Sequence, residues 1–221
     1  MYLTHVVFAS LVAAAIAVEI ASPTLKSETH TDAWRTVSQD ETFYLIYRSY
    51  EYDAGTGGTG KCVSVKLCDK NDTTRTATSR LMYRDAQTTQ WKGFTARVTM
   101  ARSQNSTVDD IIRLGDADNW DASANAVTAE YQLIYSDYSS CDVMVALGTQ
   151  EPSCELWIKD GKQNIEDNNE VKSRDGDRDN IKNSITKCKE EYDNLCKVKY
   201  QIYDRDTCSL PNEMAARGGH C

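Results

Sequence analysis

The sequence predicts an all-β domain, a sandwich or a barrel, followed by one helix near the C-terminus. Short segments rich in aromatic and β-branched residues recur at roughly ten-residue spacing between residues 43 and 159, with polar turns between them. Beyond Lys159 that pattern stops. A polar stretch leads into Ile181, Ile185, Cys188, Tyr192 and Leu195, whose steps of four, three, four and three draw one face of an amphipathic helix. Cysteines stand among the strands and on that helix face, so disulfides can staple the helix to the outside of the sheet.

Residues 22–42 are a polar lead-in containing Asp32-Ala33-Trp34. Residues 43–52 form the clearest strand. Strict alternation puts Phe43, Leu45, Tyr47 and Ser49 on one face and Tyr44, Ile46, Arg48 and Tyr50 on the other. A Gly-rich loop, residues 55–60, separates it from a second strand at 62–68. Further strands are predicted at 80–84, 91–100, 110–114, 127–135, 141–147 and 154–159, eight in all. Residues 197–203 read as extended. With no internal repeat and no linker, residues 18–221 are expected to form one domain.

Residues 1–17 read as a secretory signal peptide. The run from Val6 to Val18 is apolar but short for a membrane span, and Ala15-Ile16-Ala17 fits a small-x-small cleavage site. All eight cysteines follow it, which suits an exported, extracellular protein with disulfides. Asn71-Asp72-Thr73 and Asn105-Ser106-Thr107 are glycosylation acceptors in polar, turn-like segments, at Asn71 and Asn105. The formal net charge of −8 argues against nucleic acid and anionic membrane surfaces as partners and favours a cationic ligand.

Little supports an enzyme. The histidines are His5, His30 and His220, none of them within the strands where a triad or metal site would be built. Residues 55–61 match GxxxxGK, but Cys62 follows where a phosphate loop needs Ser or Thr, and a strand follows where it needs a helix. Neither a cofactor nor a metal is expected.

The informative stretch runs from Cys141 to Cys188. Asp142 and Met144 share one parity of their strand, and Glu155 and Trp157 share one parity of the next. Taken singly, such acids are commonly solvated and such a Trp is commonly core. If both faces look into one cavity, its wall carries two acids and an indole, a receptacle for a small organic cation. Two carboxylates sharing that site would repel, raising one pKa.

This stretch, with Asp32-Ala33-Trp34, the residues 44–53 and Cys62-Val63, resembles the tick salivary lipocalins, in their histamine-binding branch. The resemblance implies an eight-stranded antiparallel barrel with a helix on its wall, acting as a monomer. It implies that the protein sequesters an amine, histamine or serotonin, inside the barrel to suppress host inflammation. It carries Asp142, Glu155 and Trp157, with Asp40, onto one amine site, and Tyr50, Asp53 and Trp120 onto a second. The second departs more, with Ala96 beside Arg97 where an acid is expected and the Gly-rich loop where a Trp is expected. The resemblance also suggests the disulfides Cys62–Cys208, Cys141–Cys188 and Cys154–Cys221, leaving Cys68 with Cys196. Two other readings remain. A carrier of an apolar ligand, a leukotriene or fatty acid, would need a base for the carboxylate, with Arg48 or Arg97 as candidates. A protein-binding inhibitor would act through the barrel-mouth loops.

Overall fold

The computed structural model describes residues 31–117, 127–163 and 175–208. Within these, eight antiparallel strands follow in order: β1 (Phe43–Arg48), β2 (Lys61–Asn71), β3 (Thr76–Arg84), β4 (Trp91–Ala101), β5 (Ile111–Asp116), β6 (Val127–Ser136), β7 (Cys141–Ala146) and β8 (Ser153–Lys159). Each pairs with its neighbour in sequence, and β1 pairs with both β8 and β2, which closes the sheet into a barrel. A helix, α2 (Asp175–Leu195), lies against β6, β7 and β8. The two-residue strand β9 (Tyr200–Gln201) runs along β1. The predicted strands and helix are thus present, and the barrel is the outcome between barrel and sandwich.

A short helix, α1 (Ala33–Val37), precedes β1 inside the polar lead-in, where the sequence predicts no element. Asp32 caps it by accepting from the Trp34 amide at 3.0 Å, and Ala33 and Trp34 are buried under it. Trp34, Val98, Ile112 and Leu133 belong to one apolar cluster, so α1 closes one end of the barrel. The Gly-rich loop and the C-terminal end of β1 lie at the other end.

Strand β1 is shorter than predicted and does not alternate evenly. Leu45 faces Trp157 across the ladder, Tyr47 faces Leu156 and Arg48 faces Glu155, so one residue is extra between Leu45 and Tyr47. A bulge of this kind reverses the parity of everything after it. Ile46 packs outward with Tyr44 in the cluster with α2, and beyond the bulge Arg48, fully buried, takes an inward position beside Tyr50. The even faces predicted for residues 43–50 hold as far as Ile46, which shares the outward side with Tyr44, and reverse beyond it.

The wall β7–β8 is buried on both sides. Val143, Val145, Cys154, Leu156 and Ile158 face α2, meeting Ile185, Cys188 and Tyr192, with Ile181 and Leu195 at the edge. Burying each large apolar side chain here stabilises by about 1.5–3 kcal/mol. The helix face read from the sequence is the one that packs.

Disulfides Cys62–Cys208 and Cys141–Cys188 form as expected. Cys154 bonds Cys196, which overturns both Cys154–Cys221 and Cys68–Cys196. The reason is a match of repeats. Cys188 and Cys196 are eight residues apart, about 12 Å along a helix. Cys141 and Val145, the ladder partner of Cys154, are four residues apart, about 13 Å along a strand. A helix laid along the strands therefore brings both of its cysteines to both strand cysteines. Cys68 is also disulfide-bonded, and Cys221 lies outside the described residues.

Candidate functional site

The barrel encloses a cavity of about 110 Å³. One part of its wall is aliphatic, built by inward residues of β2 to β5 such as Val63, Val65, Leu81 and Ile112. The opposite wall is β1, β7 and β8, and it carries charge. Glu41, Asp53, Asp142 and Glu155 line the cavity, and no Lys, Arg or His is among the lining residues described. Asp142, Met144, Glu155 and Trp157 all face it, as their parity predicts.

Asp142 sits at the α1 end. It is 1% exposed. Its Oδ1 accepts from the Thr36 hydroxyl at 3.3 Å, while its Oδ2 is buried with no hydrogen-bond partner. Burial pushes its pKa up to about 7, the Ser136 hydroxyl pulls it down and the charge of Asp137 adds to the rise. A buried carboxylate oxygen with nothing to accept from is costly unless a ligand supplies the donor.

Glu155 sits toward the other end. Its Oε1 accepts from the Tyr50 hydroxyl in a short hydrogen bond, and its Oε2 accepts from the Trp157 indole N–H at 2.8 Å. Burial raises its pKa to about 7 against those two donors, and Asp53 adds to the rise. The phenol of Tyr50 is pushed up by burial and by the Glu155 charge, and that of Tyr131 by the Glu155 charge and burial. The two carboxylates are thus raised by desolvation and not by each other, since each has a different repelling neighbour.

The grouping of residues also differs from the one the resemblance implies. Glu155 belongs with Tyr50, Asp53 and Tyr131, not with Asp142. Trp157 is the ladder partner of Asp142 and lies two residues from Glu155, so it stands between the acids. Its N–H is spent on Glu155, leaving the ring face to the cavity. Asp40 is exposed and is not a lining residue; its neighbour Glu41 is, and Glu41 pairs with Lys159 at 3.0 Å. Asp53 lines the cavity with both oxygens engaged, Oδ1 by the Gly55 amide and Oδ2 by the Thr56 hydroxyl. Trp120 lies outside the described residues. Asn71, the last residue of β2, and Asn105, in a turn, are both exposed.

Besides Glu41, the lining residues that were not foreseen include Tyr131 and Thr36. Tyr131 shares the parity of Leu133 on β6, which could have pointed to it; Thr36 had no signal, because α1 was not expected. Arg48, a candidate base for an acidic ligand, is committed elsewhere. It donates to the carbonyls of Tyr50, Glu51 and Gly58 and to Thr56, and it lies 3.7 Å from Asp53. It pins the Gly-rich loop across the barrel mouth. There Gly57 has φ +76°, and a Cβ at that position would meet the Tyr83 ring at 2.6 Å. Arg97 falls on the outer face, between the inward Ala96 and Val98.

A closed eight-stranded antiparallel barrel around a side-chain-lined cavity, with one helix on its wall, defines a ligand-binding lipocalin. The chain belongs to the tick histamine binding protein family, whose family model matches residues 24–210. Among solved structures it is similar to the "AM182 Serotonin Complex", at 21% identity over 85% of this chain and 99% of that one, with a TM-score of 0.48. It is also similar to japanin from Rhipicephalus appendiculatus bound to cholesterol, at 14% identity over 77% and 97% of the two chains, with a TM-score of 0.48. Lobster apocrustacyanin A1 is similar at 9% identity over 74% and 76%, with a TM-score of 0.46. No curated protein matches the chain.

Proposed function

We propose that this protein is secreted and sequesters a small biogenic amine, histamine or serotonin, inside its barrel, stoichiometrically and without turnover. The observation that carries this is Asp142, a buried carboxylate in the cavity wall whose Oδ2 has no partner, in a cavity lined by four acids and by no described base. An ammonium supplies both the missing donor and the missing charge. At about 4 Å from one carboxylate it gains about 4 kcal/mol at an effective dielectric of about 20, before desolvation is subtracted. The face of Trp157 adds a cation–π contact and orients the ligand. The cavity volume is of the order that takes a single ring, which suits histamine better than the two-ring indole of serotonin; a dry cavity of about 150 Å³ holds benzene.

The apolar-carrier reading is less well supported. Its two candidate bases are accounted for, Arg48 under the mouth loop and Arg97 on the outer face.

Calorimetric titration with histamine and serotonin across pH tests the proposal. An aliphatic ammonium stays charged below pH 9, so with serotonin the carboxylates alone set the pH dependence, whereas the imidazole of histamine also protonates at about pH 6.5; serotonin is therefore the probe for the pH test. Both are raised to about 7, so affinity should fall steadily as pH drops through 7. Binding that is flat between pH 7.5 and 4.5, or absent throughout, sinks the reading.

A further inference from the structure

The two inward carboxylates pose a charge problem that one monoamine does not solve. Asp142 and Glu155 are both at least 97% buried, and both line one continuous cavity. They are not adjacent. Trp157 is the ladder partner of Asp142, and Glu155 lies two residues from Trp157 on β8, so the acids stand on diagonal positions of the wall, whose Cα atoms in a regular sheet are about 7–8 Å apart. Between them the wall is apolar, made by the Trp157 ring and by Met144, the ladder partner of Glu155. A single ammonium placed at either acid leaves the other with no ammonium of its own: Glu155 then has only the field of Arg48, which is already paired with Asp53, and Asp142 only that of Lys159, which is already paired with Glu41.

We infer that the cavity is built for a dication with an apolar middle, a linear α,ω-diamine that sets one ammonium on Asp142 and the other on Glu155. Five or six bonds of about 1.5 Å at near-tetrahedral angles span about 6–8 Å, so four or five methylenes between the nitrogens match the gap. The methylenes lie on Trp157 and Met144, where water would make no hydrogen bond. The ends differ in what they offer. Asp142 Oδ2 accepts its first hydrogen bond from the ligand, whereas Glu155 adds one to the two it already accepts from Tyr50 and Trp157. Asp53, near Glu155, keeps its own oxygens on the loop and contributes only field.

This inference rests on the amine reading above, and the experiment separates the two. The disulfide-intact full chain is titrated at pH 8 with diamines of three to six methylenes, with butylamine and pentylamine, and with histamine. The expected result is one diamine per chain, an affinity maximum at four or five methylenes, and at least a roughly tenfold advantage there over the matching monoamine. Asp142→Asn and Glu155→Gln, each checked for native circular dichroism, should each reduce the best diamine to the level of its monoamine. Histamine binding with no diamine advantage at any length overturns the inference and leaves the amine reading standing. A diamine advantage that survives either substitution also overturns it. If no amine binds, both fail.

Discussion

The two ends of the cavity hold the same chemistry in opposite states of completion. At the mouth end, Glu155 has a donor on each oxygen, and the loop that covers it is held by the buried Arg48 and the caps of Asp53. At the α1 end, Asp142 has one long bond from Thr36, the Ser136 hydroxyl close enough to lower its pKa, and an Oδ2 with no hydrogen-bond partner. Burial raises both carboxyls to about 7, so the difference is not in ionisation but in what remains for a ligand to satisfy. A carboxylate already served by two donors gains less from a third than one left half-served.

The comparison ranks the substitutions. Asp142→Asn should cost the most, about 100-fold or more in amine affinity, since it removes the charge at the unserved oxygen. Glu155→Gln should cost less, about 10- to 30-fold, because Tyr50 and Trp157 already stabilise that charge. Calorimetry on both variants with one monoamine decides it, and the reverse order breaks the asymmetry.

Each acid also follows a stapled cysteine in the chain, Cys141 before Asp142 and Cys154 before Glu155, and both staples reach α2 on the far side of the wall. Replacing either disulfide by a Ser pair should lower stability by about 2–4 kcal/mol, read from denaturant midpoints. The Cys141–Cys188 loss should damage binding more, because it loosens the strand of the dominant acid. Mapping the native bonds by mass spectrometry should recover Cys154–Cys196.

A smaller effect concerns stability without ligand. A carboxyl whose folded pKa is raised binds its proton more tightly in the folded state, so it favours folding at low pH and loses that contribution as pH rises from about 4 to 7. Asp142→Asn removes this penalty. It should raise the stability of the ligand-free protein at pH 8 by on the order of 4 kcal/mol and leave it nearly unchanged at pH 4. Equal effects at both pH values would show that the Asp142 carboxyl is not desolvated.

The smallest is Tyr50→Phe. It deletes a donor to the charged form of Glu155, so the Glu155 pKa should rise further and the midpoint of the binding–pH curve should move upward. Affinity at pH 8 should fall by only a few-fold, about 1 kcal/mol. No movement of the midpoint would mean that Tyr50 does not tune Glu155.

Much of this was legible in the sequence. Alternation at 141–147 and 154–159 aimed Asp142, Met144, Glu155 and Trp157 inward, and the three-and-four spacing from Ile181 to Leu195 marked the face that packs on β7 and β8. These are local periodicities, and a strand or helix obeys its own period wherever it is placed. What the sequence could not show is which acids share a neighbourhood. The bulge in β1 turns Arg48 and Tyr50 inward, and only pairing with β8 reveals it. That single extra residue moves Glu155 into the company of Tyr50 and Asp53 and leaves Asp142 with Thr36 of an unforeseen helix. The partner of Cys154 was hidden for the same reason, since it depends on how a helix is laid along strands more than forty residues before Cys196. The residue types and their inward faces were thus determined by the sequence alone. The asymmetry between the two carboxylates was decided by tertiary contacts between segments far apart in the chain, because burial and donor supply are properties of the assembled wall.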